Sequence, residues 1–491
     1  GNAQLGTLTA GTGAGVLAGN QISVTADAVD LTGGTAANGN FRVEATAGSI
    51  ASGDITATLG NIVLDAQPGG GVTAGTLTGR TGVQVLGQTD VRLASATSAA
   101  GAILVDATTG DVSGLLLGSP ASDGRLLPAY GRTDLTASGA DQTITVTAGG
   151  NAQLGTLTAG TGASLLAADQ ISVSADAVDM LDGSAANGDI RVLATSGTLR
   201  TRDVSVLGTG RVLRLGASGS IVTGTLRSNG GDMLLSASGD VTVGGASTAL
   251  GGTPATGTIA ILAGNSASTG AVTAGTLSAG EDIAISAGAA VSLTSLTAGD
   301  DIDVDTNGVV TFNAAVSTGT GADTRAVTFA RASAGSTSAI GFAGPAGQAG
   351  HNINIRAASL GSVLPITGDV DDGLVLGTLD TNTAFLTADA GDIRADLVDA
   401  SGNVAITALA GSLSGRIPGF DDGTGGATIS APGTVRLDVT GSATLGSVNA
   451  GTLTNESLAT PDSIRIRNVT AGTLTLTSVS RLQIGTGNVT G

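Results

Sequence analysis

The sequence predicts an all-β chain: a single-stranded parallel β-helix, or solenoid, interrupted by loop or hairpin excursions. Three observations predict it. Short segments alternating apolar and polar residues recur, as in Ile22-Ser23-Val24-Thr25-Ala26, Phe41-Arg42-Val43-Glu44-Ala45 and Ile103-Leu104-Val105-Asp106-Ala107. Such alternation is the strand period, and the spacing stays near ~20 residues with Gly between, the signature of stacked coils. Second, the chain has no Trp, one Tyr and six Phe among its 491 residues. A narrow solenoid core has no room for large rings, so Val, Ile, Leu and Ala fill it. Third, 1–47 is repeated at 150–196, a fixed offset of 149 residues, with GNAQLGTLTAGTGA opening both copies. Thr25 becomes Ser174, Leu31 Met180, Asn40 Asp189 and Phe41 Ile190, without loss of register. The two copies are expected to superpose, with Ile22 and Ile171 both inward, since a one-residue slip would invert every side chain.

Taken in order, residues 1 to about 108 read as regular coils. The tag Gly-Thr-Leu-Thr at Gly6 and Gly75 returns at Gly155, Gly451 and Gly472, with Ser closing the copy at Gly275. It reads as a structural corner: Gly opens the turn and Leu points inward. Residues 110–142 break the rhythm with Pro120, Pro128 and Tyr130, and form a first excursion, because Pro does not fit a central ladder. Coils resume at Ile144 and run through Ile171, Ile190, Leu213, Leu234, Ile259, Ile283 and Ile302. Residues 313–352 form a second excursion, in which strands at Val327–Phe329 and Ile353–Ile355 flank a long loop. Residues 359–373 and 411–433 are the third and fourth. The whole is expected to be one continuous β-helical rod over 1–491, of about 20 or more coils and about 100 Å or longer. Neither end reads as a capping repeat. The chain is therefore expected to be a stretch of something longer or a subunit that associates end to end.

The basic residues number 20, the acidic ones 39, and the formal net charge is −19. That disfavours nucleic acid and anionic membrane, both of which attract basic surfaces. There is no Cys, as suits a chain exported unfolded. No run of apolar residues is long enough for a membrane helix, so no membrane insertion is expected.

The best metal candidate lies in Asp300-Asp301-Ile302-Asp303-Val304-Asp305. On a strand Asp301, Asp303 and Asp305 share a face, and Ca²⁺ would relieve their mutual repulsion. The EF-hand pattern is not matched, since Phe312 stands where its Glu belongs. Solvated outer-face acids are the plainer reading. Asp369, Asp371 and Asp372, and Asp421 with Asp422, are weaker candidates. The only His, His351, sits beside a Gly-rich loop and reads as a loop residue, with no GxSxG elbow to make it a catalytic base. Arg200 with Arg202, and Arg211 with Arg214, form short basic groups in otherwise ordinary coils. No catalytic residue and no cofactor are expected, and the chain is not expected to be an enzyme.

With its coil period, its GTLTAG…QISVTA unit, its lack of Cys and its Gly, Ala and Thr bias, the chain resembles the filamentous haemagglutinin family of Gram-negative exoproteins. The resemblance implies a right-handed helix, export by the two-partner route through an outer-membrane secretion pore, and adhesion, aggregation or biofilm roles at the cell surface. A host or neighbouring-cell receptor or glycan would be its target. The family's NPNG-type secretion motif is absent from these residues. Two other readings stand beside this one. One is an acidic surface-layer or matrix protein assembled with Ca²⁺. The other is a β-helical polysaccharide-active enzyme, which would need a cleft holding several acids.

Overall fold

In a computed structural model the chain is all-β, with parallel strands stacked as a β-solenoid of about 17 turns and no helix among the described residues. The residues described are 1–11, 19–66, 69–115, 131–161, 168–250, 256–264, 270–306, 308–317, 327–329, 340–342, 352–357, 372–388, 392–415, 425–455, 463–479 and 481–489. His351, Tyr130, Asp369, Asp371, Asp421 and Asp422 lie outside them. So does much of each expected excursion, namely 116–130, 318–326, 330–339, 343–351, 358–371 and 416–424. The chain divides into two compact units, one built on Gly1–Gly231 and one on Asp232–Ala334 and Ser338–Gly491.

In the first unit each turn holds two strands. A longer one bends at its Gly corner, as in Ala3–Ala10, Val29–Ala36 and Val72–Gly79. A shorter one follows, as in Asn40–Ala45, Ile62–Ala66 and Val83–Gly87. Strands of the same kind pair in parallel from turn to turn, at the usual strand spacing of ~4.8 Å. Each inward position therefore sits on its equivalent in the next turn. Ile103, Ile144, Ile171, Ile190 and Leu213 form one file, and Val105, Val146, Val173, Val192 and Leu215 another. All of these are buried. The short strands close on Ala175, Ala194 and Ala217, also in register, where the tight turn leaves room for one methyl group.

The duplication holds in three dimensions. Ala3 pairs with Val29 as Ala152 pairs with Val178, and a register shift falls at Asn20/Ile22 as at Asp169/Ile171. Ile22 and Ile171 are both buried. Gly11 and Gly160 adopt the same left-handed backbone, φ 83° and 80°. Against them pack Gln21 and Gln170, whose Oε1 atoms accept the N–H groups of Asn38 and Gly39, and of Asn187 and Gly188. Any side chain at either glycine would strike that glutamine.

The second unit stacks in the same way, with Ile259 on Ile283 on Ile302, and Ile302–Thr306 paired directly with Asn352–Ala357. Thus 307–351 intervenes between two successive rungs. Within that span Val310–Ser317 stays in the other parallel ladder and no further rung lies among the described residues, so about 17 turns form rather than the expected twenty or more. Val327–Phe329 is not a rung; it pairs antiparallel with Ile340–Phe342. Within 110–142 and 411–433, the strands Val112–Gly114, Thr133–Ala137, Leu413–Ser414 and Ala427–Val439 remain in the parallel ladders, so those excursions are narrower than expected. Alternation also fails in one place. Every residue of Met233–Ala237, Ile259–Ala263 and Ile283–Ala287 is buried, the outward Leu234, Ala260, Leu262 and Ala284 included, as in a sheet covered on both faces.

The turns are tied together at their corners by side chains. Where the backbone leaves one ladder its N–H needs an acceptor, and an Asp or Asn one turn earlier supplies it. Asp54 Oδ1 accepts from Thr76 N at 2.7 Å, Asp134 from Thr156 N at 2.7 Å, and Asp203 from Thr225 N at 3.0 Å. Asp111, Asp189, Asp240 and Asp392 do the same for Asn151, Val212, Ala271 and Ser412, and Asn40 and Asn403 for Asn61 and Thr434. Charge-assisted bonds of this kind are stronger than neutral ones.

The two copies differ in how one core site is filled. A Cβ on Gly34 would lie 2.3 Å from Phe41 Cε2 and 2.9 Å from Leu8 O. At the equivalent Gly183 the first contact is the mobile end of Met180, at 3.3 Å. Gly34→Ala should therefore cost about 1–3 kcal/mol through overpacking. Gly183→Ala should fall within about 1 kcal/mol of wild type, helped by the lower entropy of the unfolded chain. Denaturant unfolding of the two variants tests this, and equal costs would contradict the packing described.

Candidate functional site

Stacking in register places like on like, and for carboxylates that is costly. Among the described residues of the first unit four acid-over-acid steps occur, and each has an arginine. Glu44 stacks with Asp65, and Arg42 bonds Glu44 at 3.0 Å. Asp90 stacks with Asp111, and Arg92 bonds Asp90 at 2.6 Å. Asp169 stacks with Asp189, and Arg214 Nη1 reaches both, at 3.9 and 3.0 Å. Burial raises the pKa of Asp169, while Arg214 and Arg191 pull it back. Asp182 stacks with Asp203, and Arg202 bonds the first through Nε and Nη2 and lies 3.6 Å from the second. Arg202 and Arg214, two of the basic residues singled out in the sequence, are thus counter-charges for stacked acids. Arg200 is exposed on the rung between Asp179 and Val222, and Arg211 lies in the turn before Leu213–Ala217.

The second unit contains a step of another kind. Gly280-Glu281-Asp282-Ile283 and Gly299-Asp300-Asp301-Ile302 are 19 residues apart, one turn. Ile283 pairs with Ile302, and Asp300 N donates to Glu281 O, so Glu281 lies by Asp300 and Asp282 by Asp301. All four are buried, with Asp300 2% exposed, Glu281 and Asp282 7%, and Asp301 8%. Carboxylate oxygens of Asp282, Asp300 and Asp301 lie within 4.8 Å of one another. Asp282 Oδ1 accepts Asp301 N at 3.2 Å. Burial first, then the charges of Asp300, Asp301 and Glu281, push the Asp282 carboxyl up to about 7, against the pull of the Asp301 N–H. Between Arg227 and Arg325 the sequence has no basic residue.

The expected face of Asp301, Asp303 and Asp305 is divided. The strand is Ile302–Thr306, so Asp303 and Asp305 point outward together and are exposed, while Asp301 precedes the strand and turns in toward Asp282 and Asp300. One rung on, Asn354 and Arg356 stand beside Asp303 and Asp305. Asp282 did not enter the sequence reading. The signal for Asp282 was present, because a shift of one coil period lays Glu281-Asp282 over Asp300-Asp301.

No family model, curated protein or solved structure matches the chain. No helix among the described residues is long and apolar enough to cross a membrane.

The raised carboxyl has a measurable consequence in chelated protein. Its folded-state value, about 7, lies above the unfolded value of about 4. The folded chain therefore holds the proton more tightly, and stability is full below about pH 4 and declines as pH rises to about 7. Asp282→Asn keeps an acceptor for Asp301 N–H without the charge. Its unfolding midpoint should gain on wild type progressively between about pH 4 and pH 7, read by circular dichroism with EDTA present. A wild-type/variant difference that is flat across that window would show that Asp282 ionises normally.

Proposed function

We propose that the chain is a structural and adhesive extracellular surface rod, acting in attachment or aggregation through its repeated outer face rather than by catalysis. The observation that carries this reading is a file of hydroxyls. Thr9, Thr35, Thr56, Thr78, Thr97, Thr136, Thr158, Ser184 and Ser205 follow one another on successive rungs of the first unit. None of them is buried. A surface that repeats one chemistry every ~4.8 Å suits weak contacts multiplied by number, as with a glycan or a neighbouring cell surface. The resemblance of repeat style supports the same reading. It makes an outer-membrane secretion pore of a Gram-negative bacterium the export partner and the cell surface the place of action. The buried acids at Glu281–Asp301 favour a second reading, a surface-layer or matrix protein assembled with Ca²⁺. Chelation separates the two, since a surface layer would disperse in EDTA and a plain adhesive rod would keep its attachment.

Beads coated with the purified chain should attach saturably to cells or immobilised glycans, and soluble chain should compete. Replacing Thr56, Thr78, Thr97 and Thr136 by Val keeps the β-branched shape and removes the hydroxyls. It should reduce attachment by about tenfold or more, because the contacts multiply. Attachment no greater than that of albumin-coated beads would overturn the reading.

A further inference from the structure

We propose that the Asn-Gly pairs Asn38-Gly39 and Asn187-Gly188 are latent sites of spontaneous deamidation, and that Gln21 and Gln170 hold them unreactive. The chemistry starts from the sequence. Asn followed by Gly suits the reaction, because Gly has no side chain to obstruct the approach and its backbone turns freely. The Gly backbone nitrogen attacks the Asn side-chain carbonyl carbon and gives its proton to hydroxide. The new C–N bond closes a succinimide ring, and the side-chain nitrogen leaves as ammonia. Water then opens the ring at either carbonyl. The product is Asp or its β-linked isomer, isoaspartate, and nothing is oxidised or reduced. Isoaspartate adds one atom to the backbone path. Here that atom would fall in the corner between Val29–Ala36 and Asn40–Ala45, or between Val178–Ala185 and Asp189–Ala194. Both strands of each pair are held in register by neighbouring turns, so the extra length has nowhere to go.

The structure blocks the first step at the attacking atom. Gly39 N donates to Gln21 Oε1 at 3.2 Å, and Gly188 N to Gln170 Oε1 at 3.0 Å. The same oxygens accept Asn38 N at 2.7 Å and Asn187 N at 2.8 Å. A hydrogen bond to the neutral form of a group makes its proton harder to remove. The two bonds also pin the planar peptide that joins Asn to Gly. The nitrogen is thereby kept from swinging onto the side-chain carbonyl, and without that approach the reaction loses its intramolecular advantage.

Each glutamine owes its position to a bulge. The register shifts at Asn20/Ile22 and Asp169/Ile171 leave Gln21 and Gln170 out of the ladder. Gly11 and Gly160 leave the space that each side chain fills. The second copy is the tighter one. Gln170 is 0% and Asn187 1% exposed, and Asn187 Nδ2 also donates to Ala140 O. Gln21 and Asn38 are only half-buried. Asn38 is therefore the site that reacts first.

The test incubates the full chain at mildly alkaline pH, folded and in guanidinium chloride. Cleavage after arginine gives peptides ending at Arg42 and Arg191, which carry the two asparagines, and mass spectrometry reads the conversion of amide to carboxyl in each. In denaturant the two sites should react at nearly equal rates, since both lie in Ala-Ala-Asn-Gly. Folded wild type should be slower by about tenfold or more at both, with Asn38 ahead of Asn187. Gln21→Leu should speed Asn38 by about fivefold, the factor that one net hydrogen bond contributes to a barrier, and leave Asn187 unchanged. Gln170→Leu should do the reverse. Each copy thus controls for general loosening of the other, and the half-buried Gln21 decides the matter even should Gln170→Leu fold poorly. Folded wild type reacting as fast as denatured chain would overturn the proposal. So would Gln21→Leu with an unchanged rate at Asn38, or with equal acceleration at both sites, which would place the protection in the coil as a whole.

Discussion

Every inward and outward position of this molecule is governed by one condition: each side chain sits about 4.8 Å from the side chain of the same position one turn away. For apolar residues the condition is favourable without further arrangement. Ile over Ile and Val over Val fill a channel of constant width, and the Ala files close its tight turns. Hydroxyls and amides are equally at ease, since each can both donate and accept. Carboxylates are not, because two stacked anions repel and neither can donate. The molecule's charge arrangement can be read as a set of answers to that difficulty.

One answer is to spend the acid on the backbone. Asp54, Asp134, Asp203, Asp240 and Asp392 each hold a corner N–H of the following turn. Much of the chain's acidity is therefore structural, which a formal charge of −19 does not convey. A second answer is an arginine laid across the step, as Arg202 lies across Asp182 and Asp203 and Arg214 across Asp169 and Asp189. A third is a raised proton affinity, as burial and the neighbouring acids push the Asp282 carboxyl up to about 7. The corner at Asp282 and Asp301 is distinguished by burial and by like charge on three sides.

The fold class was legible because period-two alternation repeating near 20 residues has few structural solutions, and the duplication was legible from its fixed offset, though the register shift at Asn20 and Asp169 was not. Asp303 and Asp305 point out together as alternation requires. Asp301 was misread by one residue's worth of boundary, since alternation says which residues share a face only inside the strand, and this strand begins at Ile302. Alternation could not anticipate Leu234, Ala260 and Leu262, outward on their strands and yet buried, because burial of an outer face depends on what packs there. The turn number was overcounted because residues such as Val327–Phe329 carry strand chemistry without joining the ladder.

The near-identity of the two copies bears on how such a chain reaches its native state. The strand Ala3–Ala10 and the strand Ala152–Ala159 have the same sequence, and each offers its neighbour the same register. To Val29–Ala36 the wrong edge is as good a match as the right one. Local contacts cannot tell them apart; only order of arrival can. A chain that forms its turns one after another as it emerges from a ribosome or a pore meets the correct edge first. A chain released all at once from denaturant meets both, and a trap six turns out of place competes with native pairing. Forming the turns in chain order therefore favours the native pairing over the displaced one.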